Sequence, residues 1–558
     1  MNIRQLFDDT VRLHGDSIAI QYKEANGTWP AIRYNELRGR VREVSELAGE
    51  LGLRPRQDVA ALVLPNRREW VEIYLGLACS GIIVLPLDPK MTPAEASFIL
   101  KDAGAVAIFL EAKQRAGLEE ILPGLPELRS IVWLDGAEAP RECRGRPARD
   151  YAASIEALYL PARLADSFYR THLPADDDIA SLLYTSGTTG KPKGAMITHA
   201  NFCAGATLSA EMITFYPTDR FLVVLPLFHA FSFLANLVFP LLLGARLQFI
   251  DRLRTIAQDM RTLKPSVVMG VPLLFEKLLA GIQNKIATKP AAQFLLKIGL
   301  GRVVRRMIRK SLGGNLRLFV TGGAPCSPDM IRAYANLGVT VIEGYGLTEC
   351  SPVVSITTPD VPRPGSIGLP LPRVEVRIAN PDDQGVDEIE VRGPIVMKGY
   401  FRDPKSTAEV FTEDGFFRTG DLASRDDDGY LFIRGRVKAL IVNREGKNIH
   451  PEEVELRLAG DPLVRDILVL GVREKGSVGE KVGAILVPDM DAVKAANGGT
   501  EPEWEEVESL LRKRLRDACA PLSEYKHPRI IQVRREPLER TAAQKIRRHV
   551  YRGALDTK

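Results

Sequence analysis

The sequence predicts an α/β protein: a large N-terminal domain of layered α/β sheets with a small β-subdomain, then a small separate C-terminal α/β domain. Three observations predict it. Short apolar runs alternate with amphipathic helical stretches through the first two-thirds of the chain, as in parallel sheets with helical crossovers. Near residue 365 the texture changes to short alternating strands broken by Gly, Pro and Asp. A chain of 558 residues also exceeds what one core usually holds.

The elements follow in order. RYNELRGRVREVSELAGEL is amphipathic and reads as a helix. DVAALVLPN and GIIVLPLDP read as strands ending in proline turns, with WVEIYLGLACSG a helix between them. SLLY and AMIT read as two strands joined by a glycine-rich loop. Residues 221–243, FLVVLPLFHAFSFLANLVFPLLL, are long and apolar enough to resemble a membrane span. Pro226, His229, Asn236 and Pro240 interrupt them, and polar side chains are costly in lipid, so a buried core segment is expected. RLQFIDRL, SVVMGVP, LRLFVTGGAP and VTVIEGYG continue the strand series. In residues 295–314, Leu296, Leu300, Val303, Val304, Met307 and Ile308 are expected to form one helical face. Arg302, Arg305, Arg306, Arg309 and Lys310 flank it, which reads as a core helix with a solvated basic edge. The alternative is peripheral contact with an anionic membrane. PRVEVRIA, DEIEVRG and GYLFIRGR form the β-subdomain, about 365–434. KALIVN, PEEVELRLAG, ILVLGVRE, KVGAILVP and a charged helix near EPEWEEVESLLRKRLRDACA form the C-terminal domain. The expected division is therefore 1–437 and 438–558.

Composition narrows the function class. The hydrophobic share of 45% and the charged share of 26% are ordinary for a soluble protein. A net charge of +5 from 75 basic and 70 acidic residues is too thin to imply nucleic acid. The six cysteines form no C-x-x-C pair, so neither a zinc site nor a disulfide framework is expected. With no apolar signal core in MNIRQLFDDTVRLHGDSIAI, a cytoplasmic location is expected.

The segment YTSGTTGKPKG, residues 184–194, carries the chemistry. Thr185, Ser186, Thr188, Thr189, Lys191 and Lys193 surround Gly187, Gly190 and Gly194. Glycines let backbone N–H groups approach an anion, hydroxyls donate to it and lysines supply charge, so the loop reads as phosphate-binding. It is not a Walker A loop: two residues separate Gly187 from Gly190, and Pro192 stands where Ser or Thr is needed.

TSGTTGKPKGAMITHAN resembles the signature loop of the adenylate-forming superfamily, which contains acyl-CoA synthetases, peptide-synthetase adenylation domains and luciferases. LFVTGGAP, EGYGLTE, FFRTGDLA, IRGRVK, GKNIHPEEVE and LERTAAQKIRR follow in that family's order across nearly the whole chain. The resemblance implies that Thr185, Ser186, Gly187, Thr188, Thr189, Gly190 and Lys193 hold the phosphates of ATP. Gly323, Ala324 and Pro325 would line the adenine pocket, where bare backbone admits a flat base. Glu343, Gly344, Tyr345, Gly346 and Thr348 would continue the nucleotide site. Glu349 would be the hard oxygen ligand of Mg²⁺. Asp421 would accept the ribose hydroxyls, and Arg436 would be a second ribose or phosphate contact. His229 would lie beside the carboxylate being activated, with Phe228, Phe231 and Val271 in the acyl pocket. Lys545 would reach the carboxylate and α-phosphate, although Glu539 and Gln544 replace the proline and glycine of P-R-T-x-x-G-K. Lys438 would be the hinge of a mobile C-terminal domain, with Ala439 where many relatives carry Asp. Gly446 would lie beside the pantetheine of CoA.

The implied activity is ATP-dependent acid–thiol ligation through an acyl-AMP, with CoA as acceptor. Residues Phe228 to Phe233 hold no acid to pair an ammonium, which disfavours an amino-acid substrate. A medium- or long-chain fatty acid is expected. The alternatives are an aryl-CoA ligase, an acyl-AMP ligase that loads an acyl-carrier protein and, from a different class, a catalytically silent nucleotide-binding module.

Overall fold

The computed structural model describes residues 1–135, 141–158, 167–186, 191–290, 293–294, 301–323, 326–358, 363, 365–382, 385–443, 448–458, 460–473, 480–540 and 546–556. The chain divides into two compact units. One comprises Met1–Gly187, Lys191–Glu375 and Val391–Phe417; the other is built mainly from Val376–Glu390 and Arg418–Lys558.

The first unit holds two large sheets. The eight-stranded sheet runs, in spatial order, Pro192–Thr198, Ile179–Ser186, Ile83–Pro86, Val59–Val63, Ala105–Glu111, Ser130–Leu134, Arg146–Asp150 and Glu142–Cys143. The strands Val59–Val63, Ile83–Pro86, Ala105–Glu111 and Ser130–Leu134 are mutually parallel and buried throughout, as continuous apolar runs require when both faces are covered. The Arg68–Ala78 helix between the first two is buried from Trp70 to Ala78. The Pro93–Ala103 helix shows how local chemistry sets its ends. Thr92 and Glu95 make a reciprocal capping box, Pro93 opens the first turn, and Gly104 closes the helix at φ +63°.

The nine-stranded sheet runs Leu369–Pro370, Ser355–Ile356, Thr340–Tyr345, Leu318–Gly322, Val267–Gly270, Arg220–Val223, Arg246–Phe249, Ile18–Gln21 and Ala31–Arg33. The strands expected from RLQFIDRL, SVVMGVP, LRLFVTGGAP and VTVIEGYG are all present.

Residues 221–243 form a buried segment, as expected. The Arg220–Val223 strand is followed by a short helix Ala230–Phe233, a π-helical turn Leu234–Val238 and a helix Phe239–Leu243. Two of its polar side chains are linked internally: Asn236 Nδ2 donates to Ser232 Oγ at 3.2 Å, and Ser232 Oγ donates to the Leu225 carbonyl at 2.8 Å, while Asn236 Oδ1 is buried without a hydrogen bond among the described residues. The Phe233 ring packs on Tyr74 at 4.5 Å, Phe202 at 4.6 Å and Trp70 at 6.2 Å between centroids. Among the described residues no helix is long and apolar enough to cross a membrane.

The Gly301–Ser311 helix departs from the single apolar face expected of it. Val304 and Ile308 are buried, but Val303 and Met307 are 42% and 48% exposed. Adjacent residues lie about 100° apart around a helix, so one narrow core stripe takes one pair and turns the other outward. Leu296 and Leu300 lie outside the described residues.

The second unit contains a four-stranded sheet in the order Glu375–Ile378, Asp387–Arg392, Phe417–Arg425, Leu431–Arg436. It also contains a three-stranded sheet of Val464–Val472, Lys481–Pro488 and Ile530–Val533. The Trp504–Cys519 helix buries Val507, Leu511, Leu515 and Cys519, an i, i+4 stripe, in the core that includes Val469, Ala484 and Leu486.

Phe233→Ala removes the ring that joins three aromatic partners. It should lower unfolding free energy by about 3–5 kcal/mol in chemical denaturation.

Candidate active site

The Arg220–Val223, Val267–Gly270, Leu318–Gly322 and Thr340–Tyr345 strands are adjacent and parallel. Their carboxyl ends therefore open on one edge, where parallel sheets place ligands because the backbone leaves the strands there. The first strand leads to Phe228, His229 and Phe231, and the second leads directly to Val271. The third leads to Gly323, which sits at φ +78°, and the fourth ends in the 343–349 motif. Ala324 and Pro325 lie outside the described residues. Gly270 is opposite Thr321, and Gly322 is opposite Gly344. A Cβ on Gly322 would meet the Gly344 carbonyl at 2.9 Å and the Phe231 ring at 3.7 Å. The edge is thus bare backbone with an aromatic ring beside it.

Asn66 shapes the turn before His229. Its Nδ2 donates to the Leu225 carbonyl and its Oδ1 accepts from the Leu227 N–H, both at 2.8 Å. His229 caps the Ala230–Phe233 helix, with its ring 4.5 Å from that of Phe228. Phe228, His229, Phe231 and Val271 are all half-buried.

The hydroxyl-rich loop joins two antiparallel strands, as its flanks predict. Ser186 is opposite Pro192 and Thr185 opposite Lys193. Gly187, Thr188, Thr189 and Gly190 lie outside the described residues, as does the side chain of Ser186. Thr185 Oγ1 donates to Glu349 Oε1 at 3.3 Å, which brings the loop's root to the acid that the sequence singles out as a metal ligand. The same oxygen accepts from the Tyr400 hydroxyl at 3.0 Å. Burial, then the Glu349 charge, pushes the Tyr400 hydroxyl up, so it stays a donor. Tyr400 is held in place by backbone: Met196 N–H donates to Gly399 O, Phe401 N–H to Gly194 O, and Met397 N–H to Glu349 O. Lys193 Nζ donates to Ser406 Oγ at 2.7 Å and lies 5.2 Å from the Tyr400 ring centroid. Its ammonium faces Ser406 and Tyr400.

Two residues of the 343–349 motif have strict local roles. A Cβ on Gly346 would lie 1.8 Å from the Pro352 carbonyl oxygen, so only glycine fits there. Glu343 is 5% exposed and accepts the Cys326 N–H at 3.2 Å, which ties the segment after Gly323 to the neighbouring strand. Burial pushes its carboxyl up to about 8, against that hydrogen bond, which favours the protonated form near neutral pH. Gly344, Tyr345 and Thr348 are half-buried beside it.

In the second unit, Gly420 takes φ +73° and its N–H donates to Glu388 Oε1 at 2.7 Å. Thr419 Oγ1 donates to the Ile389 carbonyl and accepts the Asp421 N–H. This part of the Phe417–Arg425 strand places Asp421 opposite Arg436, whose Nε lies 2.7 Å from Asp421 Oδ1. Lys438 falls in the 3₁₀ turn Val437–Ala439 just after that strand. Gly446, Gln544 and Lys545 lie outside the described residues. Arg540 and Ile546, which flank Lys545, are antiparallel bridge partners, and Asp466 pairs with Arg540. Glu539 N–H donates to the Tyr551 hydroxyl at 2.8 Å, a bond that the family's proline could not make. Its replacement of proline is therefore structurally compensated. Asn66, Tyr400 and Ser406 are not singled out by the sequence reading; the only local cue is the glycine before Tyr400.

Gly346→Ala should destabilise the protein by about 1–3 kcal/mol, because backbone has to move. Glu343 gives a pH signature. Its folded pKa lies above the unfolded 4.5, so the folded state retains a proton that the unfolded chain has released between about pH 4.5 and 8. Stability falls as pH rises through that window and levels off above it. In E343Q that fall should vanish, so the Tm difference should move in the variant's favour from pH 5 to pH 8. A pH-independent difference would mean that the native carboxyl is already ionised.

Residues 7–401 match the AMP-binding enzyme family. The chain is 31% identical over 503 residues to the long-chain-fatty-acid–CoA ligase FadD15 of Mycobacterium bovis, covering 84% of this chain and 79% of that protein. It is 30% identical over 509 residues to human long-chain-fatty-acid–CoA ligase 1, covering 84% and 72%. ATP-bound MatB from Rhodopseudomonas palustris superposes with a TM-score of 0.76 at 27% identity, over 99% of both chains. The anthranilate CoA ligase AuaEII, in complex with anthranoyl-AMP, shares the fold at a TM-score of 0.80 and 22% identity, over 100% of this chain and 97% of that one. The matched span begins in the first helix and ends at the Tyr400 segment clipped to Glu349, and the chain belongs to the AMP-binding enzyme family, the adenylate-forming superfamily that its motifs resemble.

Proposed function

We propose that the protein is an ATP-dependent acyl-CoA synthetase that activates a medium- or long-chain fatty acid as its acyl-AMP and passes the acyl group to CoA. The observation that carries this reading is the Thr185–Glu349 contact, at the root of the hydroxyl-and-lysine loop. Half-buried Phe228 and Phe231 beyond the end of the Arg220–Val223 strand, with no acid among them, support a hydrophobic acid. The long-chain-fatty-acid–CoA ligases among its relatives support the substrate class.

A free carboxylate is a poor acyl donor because its leaving group is poor. Attack by a carboxylate oxygen on the α-phosphorus of ATP forms the mixed anhydride and expels pyrophosphate. The CoA thiol then attacks the acyl carbon and expels AMP. The first step brings two anions together, so positive charge and hydrogen-bond donors on the phosphates decide its rate. Thr185, Ser186, Gly187, Thr188, Thr189 and Gly190 supply donors, and Lys193 and Lys545 supply charge. Gly323, Ala324, Pro325, Glu343, Gly344, Tyr345 and Gly346 receive adenine, with Thr348 donating to a phosphate oxygen. Asp421 takes the ribose hydroxyls and Arg436 assists. His229 faces the carboxylate, and Phe228, Phe231 and Val271 line the acyl pocket.

Glu349 fits a Mg²⁺ ion carried mainly by the nucleotide: it is a single carboxylate, one of whose oxygens accepts from two hydroxyls. Among the described residues no group of three His, Cys, Asp or Glu forms a chelating cluster. Bound there, the ion would neutralise phosphate charge. Residues 438–558 act as a mobile domain hinged at Lys438, exchanging Lys545 for Gly446 between the two steps. The free, buried cysteines fit a cytoplasmic location, and peripheral membrane contact fits a fatty substrate.

Pyrophosphate release with ATP, Mg²⁺ and a panel of acids tests the reading, and adding CoA or acyl-carrier protein identifies the acceptor. A silent protein across the panel would overturn it. Glu349→Gln should lower pyrophosphate release by about 100-fold or more. Lys545→Ala should abolish adenylate formation yet spare thiolysis of supplied acyl-AMP; equal loss of both steps would remove Lys545 from its role.

A further inference from the structure

We propose that the Gly301–Ser311 helix docks the protein on an anionic lipid bilayer. The helix, GRVVRRMIRKS, holds Arg302, Arg305, Arg306, Arg309 and Lys310 and no acid. That local excess of five equals the net charge of +5 of the whole chain, so the remaining residues balance to zero. Among the described residues none of the five takes part in an ion pair. They line an open groove of about 550 Å³ with Gly314, Leu337 and Gly338.

The order of side chains around the helix favours lipid over an acidic protein. Val304 and Ile308 are anchored in the core cluster with Leu312 and Leu316, so the helix is held fixed. Next around the barrel come Val303 and Met307, 42% and 48% exposed. The five cations then occupy an arc of about 140°. An apolar stripe bordering a cationic arc is what a helix lying at a headgroup boundary presents, with methyl groups entering the acyl layer and guanidinium groups meeting lipid phosphates. Attraction of this kind falls off over about 8 Å at physiological salt, so it acts only at contact. Delivery of a fatty acid from that bilayer rests on the proposed function, whereas docking itself does not.

Flotation of the full-length protein with vesicles tests the docking without ATP, acid or CoA, so its failure is separate from failure of the reaction. The native protein should float with phosphatidylcholine vesicles containing about a third phosphatidylglycerol, and not with phosphatidylcholine alone. Raised salt should weaken the binding. Arg305→Gln with Arg309→Gln should reduce partitioning by about 25-fold, near fivefold for each cation, with thermal unfolding unchanged. Val303→Ser with Met307→Ser should reduce the binding that survives high salt. Equal flotation of native and charge variants, or an acidic carrier protein that binds through these cations while vesicles do not, would overturn the proposal.

Discussion

The site depends on one backbone register. Ser186 sits opposite Pro192 in an antiparallel pair, which holds the two ends of the loop one strand spacing apart. A third stretch, Met397 to Phe401, hydrogen-bonds along the outer strand and also to the Glu349 carbonyl. The root of the phosphate-type loop and the candidate metal ligand are thereby joined through main chain. Side chains complete the link: Thr185 and Tyr400 both donate to the same Glu349 oxygen. Backbone bonds of this kind do not depend on side-chain rotamers, which suits a site where donors have to be in place before a charged substrate arrives.

The sheet edge supplies the complementary feature, which is absence. Gly322, Gly323, Gly344 and Gly346 leave backbone exposed where strands end, and Gly346 has no room for any side chain. Glu343, whose carboxyl burial pushes up to about 8, braces one wall of this edge by accepting the Cys326 N–H.

One departure from the family's tail motif, Glu539, has a physical counterpart. Glu539 donates its N–H to Tyr551, and Arg540 is paired with Asp466, so the segment leading to Lys545 is tethered to the small domain's own core. Tyr551 itself packs with Leu468, Ile485, Val487 and Leu538. The Glu539 position is thus held by hydrogen bonding and packing.

Periodicity and turn chemistry made the strands, the crossover helices and the loop between SLLY and AMIT legible, because these are local preferences of adjacent residues. The phosphate chemistry of that loop was legible for the same reason, whereas the roles of the other motif residues came from their resemblance to the adenylate-forming superfamily. Partnerships across the chain were not. Asn66 bracing the turn at Leu225, Tyr400 reaching Glu349 and Lys193 meeting Ser406 all join distant segments, and nothing in either segment encodes the other. The Gly301–Ser311 helix marks the boundary between the two kinds of information. Its sequence determined that it would be helical, basic and amphipathic. Only tertiary packing decided that Val304 and Ile308 would enter the core while Val303 and Met307 faced outward, because the width of the groove that receives a helix is set by other elements.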